Sequence, residues 1–203
     1  WLAWDFWELG FLEKGITYAE KVHGIAKSID SDRYLYFKPL GGIGLISLMT
    51  GDSKRALSVG KKMLDYGHRH SYAPSIALGH ICTAFGHQIS GDMPSTFESY
   101  QQVIDISADP IYLEFARCFW GYGCLLIGQI QEAEELLKTA FTHGTKLGWG
   151  GIRIYSKGFL GAVDIIKGRV ERGVDSLEKE IMDAKQRERP IVYLLFEFSL
   201  GFA

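Results

Sequence analysis

Charge of one sign is what this chain has least of. Twenty-two Lys and Arg stand against 24 Asp and Glu, a net charge of −2. There is no basic field to hold a nucleic-acid backbone and no polybasic run for an anionic membrane surface. Cysteine is scarce too: Cys82, Cys118 and Cys124 are odd in number and none forms a close CxxC pair. At least one thiol must stay unpaired, and a reducing, cytoplasmic setting is expected. Each of the three lies in an apolar stretch, where cysteine behaves as a small hydrophobe. An initiating methionine and a signal peptide are also lacking. The chain opens with Trp1-Leu2-Ala3-Trp4 and closes with Leu200-Gly201-Phe202-Ala203, both within apolar helical patterns, so it is expected to be a piece of a longer polypeptide.

Chemistry-bearing constellations are absent as well. Gly41-Gly42-Ile43-Gly44 has no lysine followed by serine or threonine after it and no strand pattern before it, so it does not read as a phosphate loop. His68 and His70 flank Arg69, and His80 and His87 stand seven apart, but neither pair has a carboxylate or cysteine at ligand spacing. His68 and His70 read instead as completing a helix C-terminus. Ser156-Lys157 and the scattered aspartates bring no nucleophile and base together. No enzyme activity, metal or cofactor is expected. The uncharged run 72–90 is long, but it contains Pro74, His80, His87 and Gln88 and has counterparts along the chain, so it reads as a buried helix, not a membrane span.

What the chain has in abundance is glycine in register. Gly10, Gly51, Gly91, Gly128 and Gly168 stand 41, 40, 37 and 40 residues apart. Each is followed five places later by a small residue: Gly15, Ala56, Thr96, Ala133 and Gly173. Seven places before each, the chain again has only small residues: Ala3, Gly44, Ala84, Gly121 and Gly161, with Gly201 serving a sixth copy. A period in this range signals a stack of helical hairpins.

Within each unit an apolar segment, helix A, leads into the glycine, and a more charged amphipathic segment, helix B, follows it. Pro74, Pro110 and Pro190 hold nearly the same place, where proline suits a first helical turn. The turn glycine ends helix A because it adopts a left-handed conformation without a side-chain clash. Asp52 and Asp92 read as N-caps, and Glu132, Glu134 and Glu135 place negative charge on the first turn of the fourth helix B. Leu136, Leu137, Ala140 and Phe141 then recur at helical spacing. Glu134 with Lys138, and Asp183 with Arg187, read as solvated pairs at four-residue spacing. Pro39 falls inside the second helix A, where a kink or a late start is expected. The glycine-dense stretch 142–151 reads as a loop.

These features resemble the tetratricopeptide repeat, with a small residue in mid helix A, a glycine at the turn and a small residue early in helix B. The fourth unit matches best, through Trp120-Gly121, Gly128, Ala133, Leu137 and Ala140. Units of 37 to 41 residues exceed the usual length of about 34, which implies helices longer by about a turn. The resemblance implies an all-α, right-handed α-solenoid of antiparallel helix hairpins as a single domain, with repeats 1–31, 32–71, 72–108, 109–147, 148–188 and a partial 189–203. Long units of this kind resemble those of bacterial multidomain signalling proteins, in which repeats follow an ATPase module, sometimes joined to a cyclase or a DNA-binding domain.

In tetratricopeptide arrays helix A lines the concave face, including the positions six and three residues before the turn glycine. Here these are Trp4 and Trp7, Leu45 and Leu48, Phe85 and Gln88, Tyr122 and Leu125, and Ala162 and Ile165. Phe115 and Tyr155, thirteen residues before their glycines, fall on the same side. Nearly all are apolar, so the resemblance implies a non-catalytic interaction module whose concave face (Trp4, Trp7, Leu45, Phe85, Phe115, Tyr122, Tyr155) takes a peptide, a helix or a neighbouring domain. The same side chains could instead fill the inside of the superhelix. A second reading is a small-molecule sensor whose effector sits among Phe85, Tyr122 and Tyr155. Exposed aromatics at an end repeat would allow homo-oligomers.

Overall fold

A computed structural model describes residues 6, 9–29 and 33–200. Among the described residues the chain is all-helical, with no strand: α1 (Leu12–Ile29), α2 (Arg33–Thr50), α3 (Ser53–Arg69), α4 (Ala73–Ser90), α5 (Met93–Ile106), α6 (Pro110–Leu126), α7 (Ile130–Lys146), α8 (Gly150–Ile166), α9 (Val170–Gln186) and α10 (Pro190–Leu200). None of these helices is long and apolar enough to cross a membrane. Packing divides the chain into two compact units, residues 1–113 and 114–203. In the first, each of α1 to α4 packs on the next, and α2 also meets α4. In the second, each of α7 to α9 packs on the next, α8 also meets α10, and α6 lies on α7 through Gly121 and Leu137.

One turn geometry recurs at eight helix ends. Gly10, Gly51, Gly91, Gly128 and Gly168 all have φ between 71° and 80°, as the glycine register predicts. Gly148, Ser71 and Glu188 are left-handed too, at φ 67°, 48° and 53°, and they close the B helices α7, α3 and α9. After each of the eight, the following amide donates to a carbonyl five residues back: Phe11 to Phe6, Asp52 to Ser47, Tyr72 to Gly67, Asp92 to His87, Gln129 to Cys124, Trp149 to Gly144, Arg169 to Asp164 and Arg189 to Ala184, at 2.8 to 3.0 Å. This bond answers a carbonyl that the helix end would otherwise leave open. Among the described connections, the α5–α6 one departs from the scheme. There Ser107 is extended, and Asp109 Oδ1 accepts from the Ile111 amide at 2.9 Å. Helix α5 has 14 residues where α3, α7 and α9 have 17, which accounts for the 37-residue spacing.

Proline opens α6 and α10 and stands in the first turn of α4. Asp52 caps α3 by accepting from the Arg55 amide at 3.0 Å, and Asp92 caps α5 through Ser95 at 3.2 Å. The small residues set how closely the helices approach. A Cβ on Gly121 would stand 2.7 Å from Leu137 Cγ, and one on Gly173 would stand 2.6 Å from the Gly161 carbonyl oxygen. Between α3 and α4, a Cβ on Gly60 would stand 2.6 Å from Thr83 Oγ1 and one on Gly86 would stand 2.5 Å from Leu57 Cγ. The hairpins of the first unit therefore meet each other as tightly as the helices within a hairpin.

One local expectation is corrected and another is narrowed. The stretch 142–151 is not a loop: α7 runs to Lys146, α8 starts at Gly150, and only residues 147–149 turn between them. Gly144 is a packing residue, its Cβ position 3.0 Å from Ile152 Cγ2, while Gly148 supplies the left-handed turn, so the glycines mark contact as well as breakage. Pro39 brings no late start: α2 is helical from Arg33 through Thr50. The carbonyl that Pro39 cannot answer belongs to Leu35, a residue 44% exposed, where water can reach it.

At Gly128 nothing lies within 4 Å of a Cβ, so any cost of a side chain there is conformational. Gly128→Val is expected to destabilise the protein by about 2 kcal/mol, read as a lowered melting temperature. An unchanged melt would contradict the left-handed turn. The converse holds at Glu188, where Glu188→Gly relieves a strained φ and should stabilise by about 0.5–1 kcal/mol in urea unfolding, once glycine's entropy cost is subtracted.

Candidate functional site: an apolar cleft in the second unit

The residues singled out as concave-face candidates fall into three groups. Trp4 and Trp7 lie outside the described residues. Leu45, Phe85, Phe115 and Tyr155 are core residues, exposed by 2%, 1%, 7% and 6%. Tyr122 is half-buried, as are Leu48, Leu125 and Ala162, while Gln88 is buried and accepts a hydrogen bond from the Tyr100 hydroxyl at 3.4 Å.

Aromatic packing separates these groups in the second unit. Phe115 stacks on Trp149 with ring centroids 5.9 Å apart and also meets Phe119 at 4.8 Å. Phe119 meets Tyr155 at 5.9 Å, which closes that end of the helices into core. Nearer the A-to-B turns, Tyr122 stacks on Phe159 at 4.6 Å and 19°, and Phe159 meets the Phe196 edge at 6.2 Å. Phe196 can lie there because α8 has Gly158 beneath its ring.

Beside the Tyr122–Phe159 pair an apolar cleft of about 200 Å³ opens. Helix α6 lines it with Tyr122, Leu125 and Leu126, and α8 with Phe159, Ala162, Ile165 and Ile166. Leu195 and Ser199 of α10 complete the wall. Tyr122 with Leu125, and Ala162 with Ile165, are the pairs six and three residues before Gly128 and Gly168, so the repeat register brings these four together. Leu126 and Ile166, two residues before their glycines, escaped the sequence reading. Both are more than half exposed at the rim, and their shared apolar character at one register position was the available signal.

No charged side chain lines the cleft. Ser199 donates its hydroxyl to the Leu195 carbonyl at 3.1 Å, and burial raises the Tyr122 phenol above its ordinary pKa, so that side chain stays neutral. The arrangement can bind apolar matter. Among the described residues, no group of His, Cys, Asp and Glu is placed to hold a metal ion. The three cysteines are buried free thiols, and burial pushes Cys118 and Cys124 up to about 12.

The charges of this unit gather instead around the α8–α9 turn. Glu134, read from sequence as half of a solvated pair, is buried at the start of α7 and accepts from Lys138 at 2.8 Å and Lys167 at 2.5 Å, with Arg169 at 3.4 Å. Arg169 and Arg172 both bind Asp164, at 2.7 and 2.5 Å. The network ties α7 to the next hairpin. Asp183 and Arg187 form the expected exposed pair at 2.9 Å.

No family model matches the chain, and no curated protein matches it.

Hydrogen bonds from Lys138 and Lys167 lower the Glu134 carboxyl from 4.5 to about 2. A depressed folded-state pKa contributes stability above the unfolded value and loses it as pH falls through the folded one. The stability gap between the native chain and Glu134→Gln, followed by urea midpoints, is therefore expected to be full above about pH 5 and to close towards about pH 2. A gap independent of pH would place Glu134's contribution in packing alone.

Proposed function

We infer that this chain is a non-catalytic helical-repeat binding module of the tetratricopeptide type, its hairpins stacking as a right-handed α-solenoid within a larger cytoplasmic regulatory protein. It takes an apolar peptide segment, a partner helix or a neighbouring domain, and no nucleic acid or membrane. The observation that carries this reading is the cleft at Tyr122, Leu125, Ala162 and Ile165, where equivalent positions of successive A helices meet without a charge between them. Hydrophobic anchors of a partner helix, spaced at three and four residues, suit such a wall. Partner binding would act by changing how the array sits against the parent's other domains.

The cleft volume supports a second reading, in which a small apolar effector occupies it and regulates a linked ATPase, cyclase or DNA-binding domain. A cavity of about 150 Å³ lined by Leu, Ile and Phe accommodates benzene, so about 200 Å³ suits one ring or a short branched chain.

Ala162→Trp, half-buried in the cleft wall, should fill the space without reaching the core. With N-phenyl-1-naphthylamine as a neutral fluorescent probe, the native chain is expected to show saturable enhancement at one site, and Ala162→Trp is expected to lose at least nine-tenths of it at an unchanged melting temperature. Displacement of the probe by amphipathic helical peptides favours the module reading; saturation by the probe with no displacement favours the effector. Undiminished enhancement in Ala162→Trp would rule out the cleft as the site.

A further inference from the structure

We propose, resting on the reading of the second unit's cleft as a peptide site, that this cleft receives one tryptophan side chain from a partner helix. Two small residues interrupt an aromatic series there. Tyr122 of α6 and Phe159 of α8 stack at 4.6 Å. Forty residues further along stand Ala162 of α8 and Ser199 of α10, in step with Gly121, Gly161 and Gly201, which are also 40 apart. Packing keeps the same step: Ser156 meets Cys118, and Phe196 lies against Gly158, each pair 38 residues apart.

The positions that would carry the next stack therefore hold a methyl and a hydroxymethyl group, and both line the cleft. Phe119 and Phe159, which take Ser199's register position in α6 and α8, are each 1% exposed, whereas Ser199 is half-buried. Helices α8 and α10 are both in place and in contact. The space is thus left by two small side chains between packed helices, not by an uncovered helix face.

Size and polarity select the ring. A cavity of about 150 Å³ holds benzene, and here about 200 Å³ is open, which leaves room for the second ring of an indole. Tyr122 and Phe159 offer it aromatic surface, the contact that an aromatic guest favours. The Ser199 hydroxyl donates to the Leu195 carbonyl at 3.1 Å, so its oxygen has lone pairs left to offer and no proton. An indole N–H is a donor only and suits that oxygen. A phenyl ring would leave it unanswered, and a leucine would leave part of the space unfilled. Apolar surface continues at the rim, where Leu126 and Ile166 are 55% and 52% exposed. Flanking residues three and four positions from a helix anchor would cover that rim, whereas free indole would not.

The test is fluorescence anisotropy with labelled helical peptides of about 14 residues that differ only at one central position. That position carries tryptophan, leucine or benzothienylalanine, which keeps the indole shape and lacks the N–H. The tryptophan peptide is expected to bind the native chain about tenfold tighter than the leucine peptide, and about threefold tighter than the benzothienylalanine one, the worth of a single hydrogen bond. Ser199→Ala should erase the second difference and keep the first. Ala162→Tyr combined with Ser199→Phe supplies the next stack of the series; it should melt no lower than the native chain and lose about nine-tenths or more of the tryptophan-peptide affinity. Equal affinity for the tryptophan and leucine peptides, or undiminished binding in the double variant, overturns the proposal while leaving the cleft a peptide site. Free indole binding as tightly as the tryptophan peptide overturns it in favour of a small effector. If no peptide binds while N-phenyl-1-naphthylamine does, the peptide reading itself has failed and the anchor with it.

Discussion

A helix can stop and reverse within three residues only if the carbonyls of its last turn find donors, and here one backbone solution recurs. A left-handed residue folds the chain back far enough for the next amide to reach a carbonyl five residues behind it. Because the turn is short, the two helices that it joins are delivered against each other at a fixed register. The small residues seven before and five after the turn glycine then face each other, and the close approach of Gly121 to Leu137 and of Gly161 to Gly173 becomes possible. The cleft inherits the same constraint, since its lining residues are defined by their distance from Gly128 and Gly168.

Cohesion is distributed along the chain between neighbouring helices. In the first unit α3 and α4 interlock through glycines on both sides, so backbone approaches side chain with little between. In the second unit the space is filled by rings, from Trp149 and Phe115 to Phe159 and Phe196. Buried Glu134 adds a polar contact that crosses from one hairpin to the next, with its charge answered by lysines and an arginine. An array of this kind gains stability from adjacent layers and leaves its outer faces to vary.

The turns and caps were legible because they rest on local chemistry. Glycine at a left-handed site, proline in a first turn and aspartate before a helix each act within a few residues, and the structure has them at Gly128, Pro110 and Asp52. The misread stretch 142–151 shows the limit of that logic. Gly144 and Gly148 look alike in sequence, yet one admits Ile152 and the other reverses the chain. Ser71 and Glu188 carry the left-handed turn without glycine, and composition alone gave no sign of it. For the candidate site, the register found Tyr122, Leu125, Ala162 and Ile165 but not the rim residues Leu126 and Ile166.

By itself the sequence determined the period, the order of helices and the glycine turns that end the A helices, because each depends on backbone preferences and spacing that a short segment already contains. Only the tertiary structure decided which equivalent positions face a cleft and which are core. Phe85 and Tyr122 occupy the same register position, yet Phe85 is enclosed and Tyr122 borders open space, because burial is set by side chains from other helices.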